Sequence, residues 1–284
     1  MKKYVGLHLP LIERITREKQ REKNPDKAMK TRLHQIYGAY IRPNSNKKAE
    51  AIINQMIEAV RAGPASPARN ELASAVRTSP PPTEISEHSI KLLELHSSTN
   101  ERLPFYEDFY GFIFGHIGAV SKVLDLGCGF NPFSIPFFLQ KPTEYHAIDI
   151  DLYTKDLLNV FFEMMHLPRH ATCEDLETVT PQVKVDLALM LKLFPVLESN
   201  SPGRAYRLAN ELSTTWLVVS FPTKSLGGKK KGMAENYAAG FQDALSKNAL
   251  NNFQLQSKTV IGNELIFILK QAGTQEKPSP STYP

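Results

Sequence analysis

The sequence predicts an α/β protein: a largely parallel sheet with helices on both faces, preceded by a helical N-terminal domain. Three observations predict it. After residue 120, short β-rich runs alternate with helical stretches, the pattern of strands joined by crossover helices. The first of these runs ends in a glycine turn, and ligands in such sheets bind beyond the carboxyl ends of the strands. Residues 11–61 instead carry apolar residues at three- and four-residue spacing among strong helix formers, as amphipathic helices do.

Taken in order, LIERITREKQREK and KKAEAIINQMIEAVR read as two helices. Between them YGAYIRPNSN breaks the pattern with Gly38, Pro43 and turn-forming asparagines. From Gly63 to Thr83 the chain is rich in proline, serine and alanine, although ARNELASAVR could form a short helix inside it. Residues 1–83 are therefore expected to form a helical domain ending in a proline-rich linker, 84–272 the α/β domain, and 273–284 a disordered tail. A polar patch with one arginine, HSSTNERLP, and an aromatic helix lead into the sheet. Its runs are KVLDLG, EYHAIDI, VDLALML, WLVVSFP, FQLQSKTV and ELIFILK. The last two are joined by the hairpin-type turn IGNE, so the sheet should end with an antiparallel strand.

Composition removes several function classes. No run of about 18 apolar residues could span a bilayer, and charge returns too early at the N-terminus for a signal peptide, so the chain reads as cytoplasmic with no membrane partner. Cys128 and Cys173 are the only cysteines, too few for a disulfide framework and wrongly spaced for zinc, so no metal is expected. The net charge of +5 hides an asymmetry: residues 1–50 hold 13 Lys and Arg against 5 Asp and Glu. Positive charge segregated at one end suits a polyanion, nucleic acid first, while a solvated basic helix face accounts for it as well.

VLDLGCGFNPF places Asp125, Gly127 and Gly129 after a buried strand, with Asn131 and Pro132 suited to the N-cap and first position of a helix. Alone, a G-x-G in this place also fits a plain structural turn. Asp149, 22 residues after Gly127 at the end of the next strand, raises its significance, because an acid roughly 20 residues on meets a ribose hydroxyl pair in nucleotide-binding sheets. The third glycine of a dinucleotide fingerprint is replaced by Pro132, which disfavours NAD. The turn and acid instead resemble those of S-adenosyl-L-methionine-dependent methyltransferases of the Rossmann-like class. That cofactor ends in an amino acid, and Arg102 offers a guanidinium able to hold a carboxylate with paired hydrogen bonds.

HSSTNERLPFYEDFY, DLGCGFNPFS, MLKLFPVLE and SFPTKSLGGKKKGMAENY together resemble the aminoglycoside-resistance methyltransferases of 16S ribosomal RNA, over roughly residues 30 to 270. The resemblance implies a Rossmann-like class I methyltransferase sheet with a helical RNA-binding domain. It also implies methylation of N7 of one guanine in the decoding (A) site of the small ribosomal subunit, which blocks aminoglycoside binding. His96, Ser98, Thr99 and Arg102 would line the methionine end of S-adenosyl-L-methionine, Gly127 the glycine turn, Asp149 the ribose, Asp175 and Leu176 the adenine, and Leu191 the floor, with Tyr40 as a cap.

The chemistry agrees. Guanine N7 is an acceptor with a free lone pair on the major-groove edge, so no proton need be removed and no catalytic base is expected; proximity and alignment carry the reaction. The fourth-strand end, LMLKLFP, lacks the Asn/Asp-Pro-Pro-aromatic motif that holds an exocyclic amine. Cys128 is a poor candidate nucleophile because nothing near it in sequence would activate a thiol. Lys224, Lys229, Lys230 and Lys231 surround a Gly-Gly pair without a neighbouring acid and read as a cationic loop for rRNA phosphates, or else as a solvated loop. The aromatic stripe Phe105, Tyr106, Phe109 and Tyr110 has helical spacing, which more often means core than base stacking. Two other functions fit less well: a catalytically silent RNA-binding protein on this fold, which an intact Arg102 and Asp149 argue against, and a small-molecule methyltransferase, which leaves the basic N-terminus without a purpose. DNA is not expected among the partners. Replacing Arg102 or Asp149 with alanine should abolish methyl transfer and leave the fold intact.

Overall fold

A computed structural model of the chain describes residues 6–38, 45–62, 83–138, 140–223, 233–247 and 249–273. The proline-rich stretch and the tail lie outside the described residues. Seven strands form one sheet: β1 (Lys122–Leu126), β2 (Glu144–Asp149), β3 (Ala171–Cys173), β4 (Lys184–Leu191), β5 (Ser213–Pro222), β6 (Phe253–Ile261) and β7 (Glu264–Gln271). Their order is β3-β2-β1-β4-β5-β7-β6. The neighbours from β3 through β5 pair in parallel, and β7 is antiparallel to both β5 and β6.

Six strands coincide with the runs read from sequence. The seventh, β3, has only three residues and no alternation long enough to see. The antiparallel strand foreseen from IGNE is β7, but it inserts beside β5, and β6 forms the edge. Burial explains the order: β7 has six buried residues in succession, whereas β6 alternates buried or half-buried with exposed positions, as an edge strand with one wet face must.

Helices cover both faces. On one side α3 (Ser45–Ala62), α4 (Thr83–Leu93), α6 (Tyr106–Ile117) and α7 (Leu152–Met164) bury Ile53, Leu92, Phe109 and Phe161 against Val123, Leu187, Leu189 and Val218. On the other, α8 (Phe194–Asn200), α9 (Arg204–Glu211) and α10 (Met233–Ser246) bring Phe194, Leu208 and Phe241 onto Leu124, Ala188, Met190 and Val219. Residues 187 and 189 of β4 thus face one core and 188 and 190 the other, the period-two alternation of a strand.

The first two helices, α1 (Leu9–Lys19) and α2 (Pro25–Leu33), form a hairpin with its own small core of Leu7, Leu11, Ile15, Met29 and Leu33, against which Ile150 of the sheet's carboxyl edge packs. Asn24 caps α2 by accepting from the Lys27 amide. Backbone stitches the chain start to the loop after β2: the His8 amide donates to the Ile150 carbonyl at 3.0 Å and the Leu152 amide to Gly6 at 2.8 Å. The expected second helix is α3, which joins the core of the sheet through Ala49, Ile53 and Met56.

Candidate cofactor site

A cleft holding about 990 Å³ of empty space, its open mouth included, lies beyond the carboxyl ends of the strands where β1 and β4 adjoin. The chain reverses direction across the sheet there, so successive connections leave on opposite faces and open a crevice. His96, Ser98, Thr99, Arg102, Gly127, Asp149, Asp175, Leu176 and Leu191 all line it. Of the cofactor residues read from sequence, only Tyr40 is not among these; it lies outside the described residues, as do Lys224, Lys229, Lys230 and Lys231.

The turn after β1 depends on its glycines. Gly127 and Gly129 have φ of +63° and +49°, a region that L side chains enter at a cost of roughly 1–2 kcal/mol. A Cβ on Gly127 would lie 2.9 Å from Leu193, and one on Gly129 2.8 Å from the His96 ring. Asp149 is fastened to this turn. The Gly129 amide donates to its Oδ2 at 2.8 Å, and the Ile150 and Asp151 amides to its Oδ1 at 2.8 and 3.2 Å. Withdrawal from water nonetheless pushes its carboxyl up to about 6, against the pull of these amides and with help from Asp151.

Asn131 does not cap a helix. The segment Asn131–Phe137 is a 3-10 turn whose N-cap is Phe130, and the Asn131 side chain is buried in a polar network. Its amide nitrogen donates to Asp125 Oδ2 at 2.9 Å, while its oxygen accepts from Arg102 at 2.8 Å and from the Tyr110 hydroxyl at 2.9 Å. Asp125 also accepts from Tyr145 at 2.8 Å. Burial pushes its carboxyl up to about 6, opposed by those two bonds; the residue lines the cleft, and its Oδ1 is buried with no hydrogen-bond partner among the described residues.

Arg102 ends α5 (Ser97–Arg102) and is 4% exposed. The paired hydrogen bonds expected for a ligand carboxylate go to a protein carboxylate: Nε donates to Glu264 Oε2 at 2.7 Å and Nη2 to Oε1 at 2.6 Å. The guanidinium also lies 4.6 Å over the Phe109 ring. Burial disfavours its charge, but Glu264 more than compensates and raises its pKa, and burial of Glu264 is likewise outweighed by Arg102, which lowers that carboxyl. Lys192 completes the network, with Nζ 2.8 Å from Glu101 and 3.5 Å from Glu264. It sits just past β4 at φ +57°, a strained conformation for a side-chain-bearing residue, held by its amide bonding both oxygens of Ser220 at 3.0 Å. Nearby, the Thr99 hydroxyl is committed to the carbonyls of Leu93 and His96.

Glu264 and Lys192 were not singled out in sequence, and Asn131 was read there only as a helix cap. Glu264 left one signal, an acid opening a run of buried apolar residues, but its partner is 162 positions away. The Cys128 thiol is buried, and burial pushes its pKa well above the usual range, the reverse of activation. Tyr106, Phe109 and Tyr110 are buried in the core rather than open to a base. Glu144, His146 and His170 bring potential metal-ligating atoms within 4.8 Å of one another at the opposite ends of β2 and β3, but the two imidazoles are parallel, with centroids 4.4 Å apart, so an ion in the plane of one lies outside the plane of the other.

These features suit a nucleoside joined to an amino acid. Backbone can approach closely at the glycines, Asp149 is an acceptor anchored beside them, Asp125 Oδ1 is a buried acceptor without a partner among the described residues, and Leu176 and Leu191 are apolar walls. Comparison with known proteins gives the same picture. The model of the ribosomal RNA methyltransferase (FmrO) family matches residues 1–268. A 16S rRNA (guanine(1405)-N(7))-methyltransferase of Serratia marcescens is 34% identical over 276 residues, covering 96% of this chain and 95% of its own length. One of Micromonospora rosea is 31% identical over 248 residues, covering 86% and 82%. The crystal structure of the 16S rRNA methyltransferase RmtF with S-adenosyl-L-homocysteine superposes with a TM-score of 0.75 at 29% identity, covering 95% of this chain and 93% of that one.

Proposed function

Because this chain belongs to the ribosomal RNA methyltransferase (FmrO) family, we propose that it uses S-adenosyl-L-methionine to methylate N7 of one guanine in the decoding site of 16S rRNA, conferring aminoglycoside resistance. The observation that carries this reading is the meeting of nine sequence-selected residues on one cleft, in a chain aligned with guanine-N7 methyltransferases over almost its whole length.

When bound, S-adenosyl-L-methionine supplies an electrophilic methyl on sulfur, and guanine N7 receives it with a lone pair that bears no proton. The protein's work is binding and orientation. Asp149, held by three amides, accepts from the ribose hydroxyls. Asp125 Oδ1 and the Arg102 donors not engaged by Glu264 and Asn131 face the charged amino-acid end, with His96 and Ser98 beside them. Asp175 and Leu176 take the adenine, and Leu191 closes the floor. Because Glu264 and Asn131 fix Arg102 before any ligand arrives, little ordering remains to be done on binding, which favours alignment as the source of rate. Tyr40 and the lysines at 224 and 229–231 act from segments outside the described residues, the lysines on rRNA phosphates.

The partner is the small ribosomal subunit, and the place of action is the cytoplasm. No helix among the described residues is long and apolar enough to cross a membrane. The decisive experiment incubates purified small subunits with labelled cofactor and maps the product by mass and primer extension. One guanine methylated at N7 is the expected result; label confined to an adenine or to protein would reject the proposal.

A further inference from the structure

The proposed chemistry gives no role to Arg14, Arg32 or Glu177, whose charges join the N-terminal hairpin to the cleft wall at Asp175. From α1, Arg14 donates Nε to Asp175 Oδ2 at 3.0 Å, and its Nη2 lies 2.9 Å from that oxygen and 2.9 Å from Glu177 Oε2. From the end of α2, Arg32 reaches both oxygens of Glu177 at 3.4 and 3.5 Å and the Asn200 carbonyl at 3.3 Å, and it also donates to the Asn200 side-chain oxygen. Asp175, Glu177 and Asn200 all line the cleft, as does Ile36 from the turn that follows α2.

The arrangement has a physical logic. Asp175 and Glu177 are two residues apart, each side chain 7% exposed, and the Glu177 amide already donates to Asp175 Oδ1 at 3.0 Å. Two carboxylates this close and this dry repel one another unless each is neutralised, and a planar guanidinium fork does so while fixing their orientation. The wall's own strands supply neither guanidinium; both come from helices more than 140 positions away in sequence. The same hairpin turns Arg17, Lys23, Lys27 and Lys30 to solvent, so its cations divide between an outer surface and this inner contact.

We propose that Arg14 and Arg32 are positioning residues for the nucleoside end of the cofactor: they hold Asp175, Glu177 and Asn200 in the arrangement that receives the adenine, and the α1–α2 hairpin is thereby a wall of the cofactor site. The inference rests on the reading that the cleft takes S-adenosyl-L-methionine. Arg14 and Arg32 act through the carboxylates and not on the reacting atoms, so their loss should raise KM for the cofactor and leave kcat at saturating cofactor nearly unchanged.

The test is calorimetry of S-adenosyl-L-homocysteine on full-length protein, with steady-state methylation of small subunits alongside. Arg14→Met should weaken binding roughly ten-fold, the scale of one strongly coupled pair, and Arg14→Lys should recover part of it. Glu177→Gln should weaken binding less, and Arg14→Met combined with Glu177→Gln should fall short of the product of the two single effects. Binding by Arg14→Met within two-fold of wild type, or multiplicative effects in the double variant, would overturn the proposal. If Arg14→Met fails to fold, Glu177→Gln still decides, because wild-type affinity and KM in that variant would contradict a poised wall. Failure of the wild-type protein itself to bind would instead sink the cofactor assignment.

Discussion

Replacing Arg102 with alanine should destabilise the protein, contrary to what its sequence context alone suggests. The guanidinium makes two short bonds to Glu264 and one to Asn131, and both charged side chains are 3% exposed. Removing it leaves the Glu264 carboxylate buried with Lys192 Nζ and Ser220 Oγ, each 3.5 Å from Oε1, as its remaining neighbours. Removing one partner of a buried pair costs about 3–5 kcal/mol, most of it from the uncompensated charge. For a chain of this size that corresponds to a fall in Tm of roughly 6–20 °C. The sign of the pH dependence follows from Glu264: Arg102 holds its carboxyl below the usual glutamate value in the folded protein, so the pair's contribution is present above the unfolded carboxyl pKa of about 4.3 and is lost as pH falls through the lower folded value. The deficit of Arg102→Ala should therefore be largest near neutral pH and shrink in acid. Scanning calorimetry at pH 7 and at about pH 3, below the unfolded carboxyl pKa, reads both effects, and Arg102→Met combined with Glu264→Leu should recover most of the loss at pH 7. A melting temperature for Arg102→Ala within about 2 °C of wild type would refute this, since it would mean the pair contributes less than about 1 kcal/mol.

Three further outcomes follow from the site. Asp149, raised to about 6 from 3.8, keeps its proton to higher pH in the folded protein than in the unfolded chain, so its contribution to stability is present below pH 3.8 and lost as pH rises through about 6, whereas ribose binding needs the charged form. Cofactor affinity in calorimetry should rise between about pH 5 and 7, and Asp149→Asn should bind weakly with a flat profile; a wild-type profile that is flat would contradict the assignment. Gly129→Ala should lower Tm and cofactor affinity together, because a left-handed alanine costs roughly 1–2 kcal/mol and its Cβ would sit 2.8 Å from His96; full affinity in that variant would show the turn is not tuned to a ligand. Replacing Lys229, Lys230 and Lys231 together should weaken subunit binding and flatten its salt dependence by up to about one slope unit per lost phosphate contact, and an unchanged slope in a filter-binding titration would move the rRNA surface elsewhere.

Much of the molecule was legible in the linear order of residues, and what was legible was local. Runs such as VDLALML are apolar because they are buried on both faces, glycines mark a turn that needs positive φ, and an acid at the next strand's end lies in register beside that turn, with Asp125 opposite Ala147 and Leu126 opposite Ile148. Each is set by neighbours within a few residues or by one strand-to-strand repeat, so fold class, glycine turn, Asp149 and the polar patch around Arg102 could be read directly. Three-residue β3 could not, because it is too short to show a period. Nor could the partners of the charges. Glu264, Lys192, Arg14 and Arg32 are ordinary surface-type residues in sequence, and only folding removes them from water and sets each against an opposite charge, up to 162 positions away. Local backbone preference and apolar period decide which elements form; which ions meet depends on how the sheet's order brings distant strand ends together, where low solvent access makes pairing obligatory, and that is a property of the tertiary structure alone.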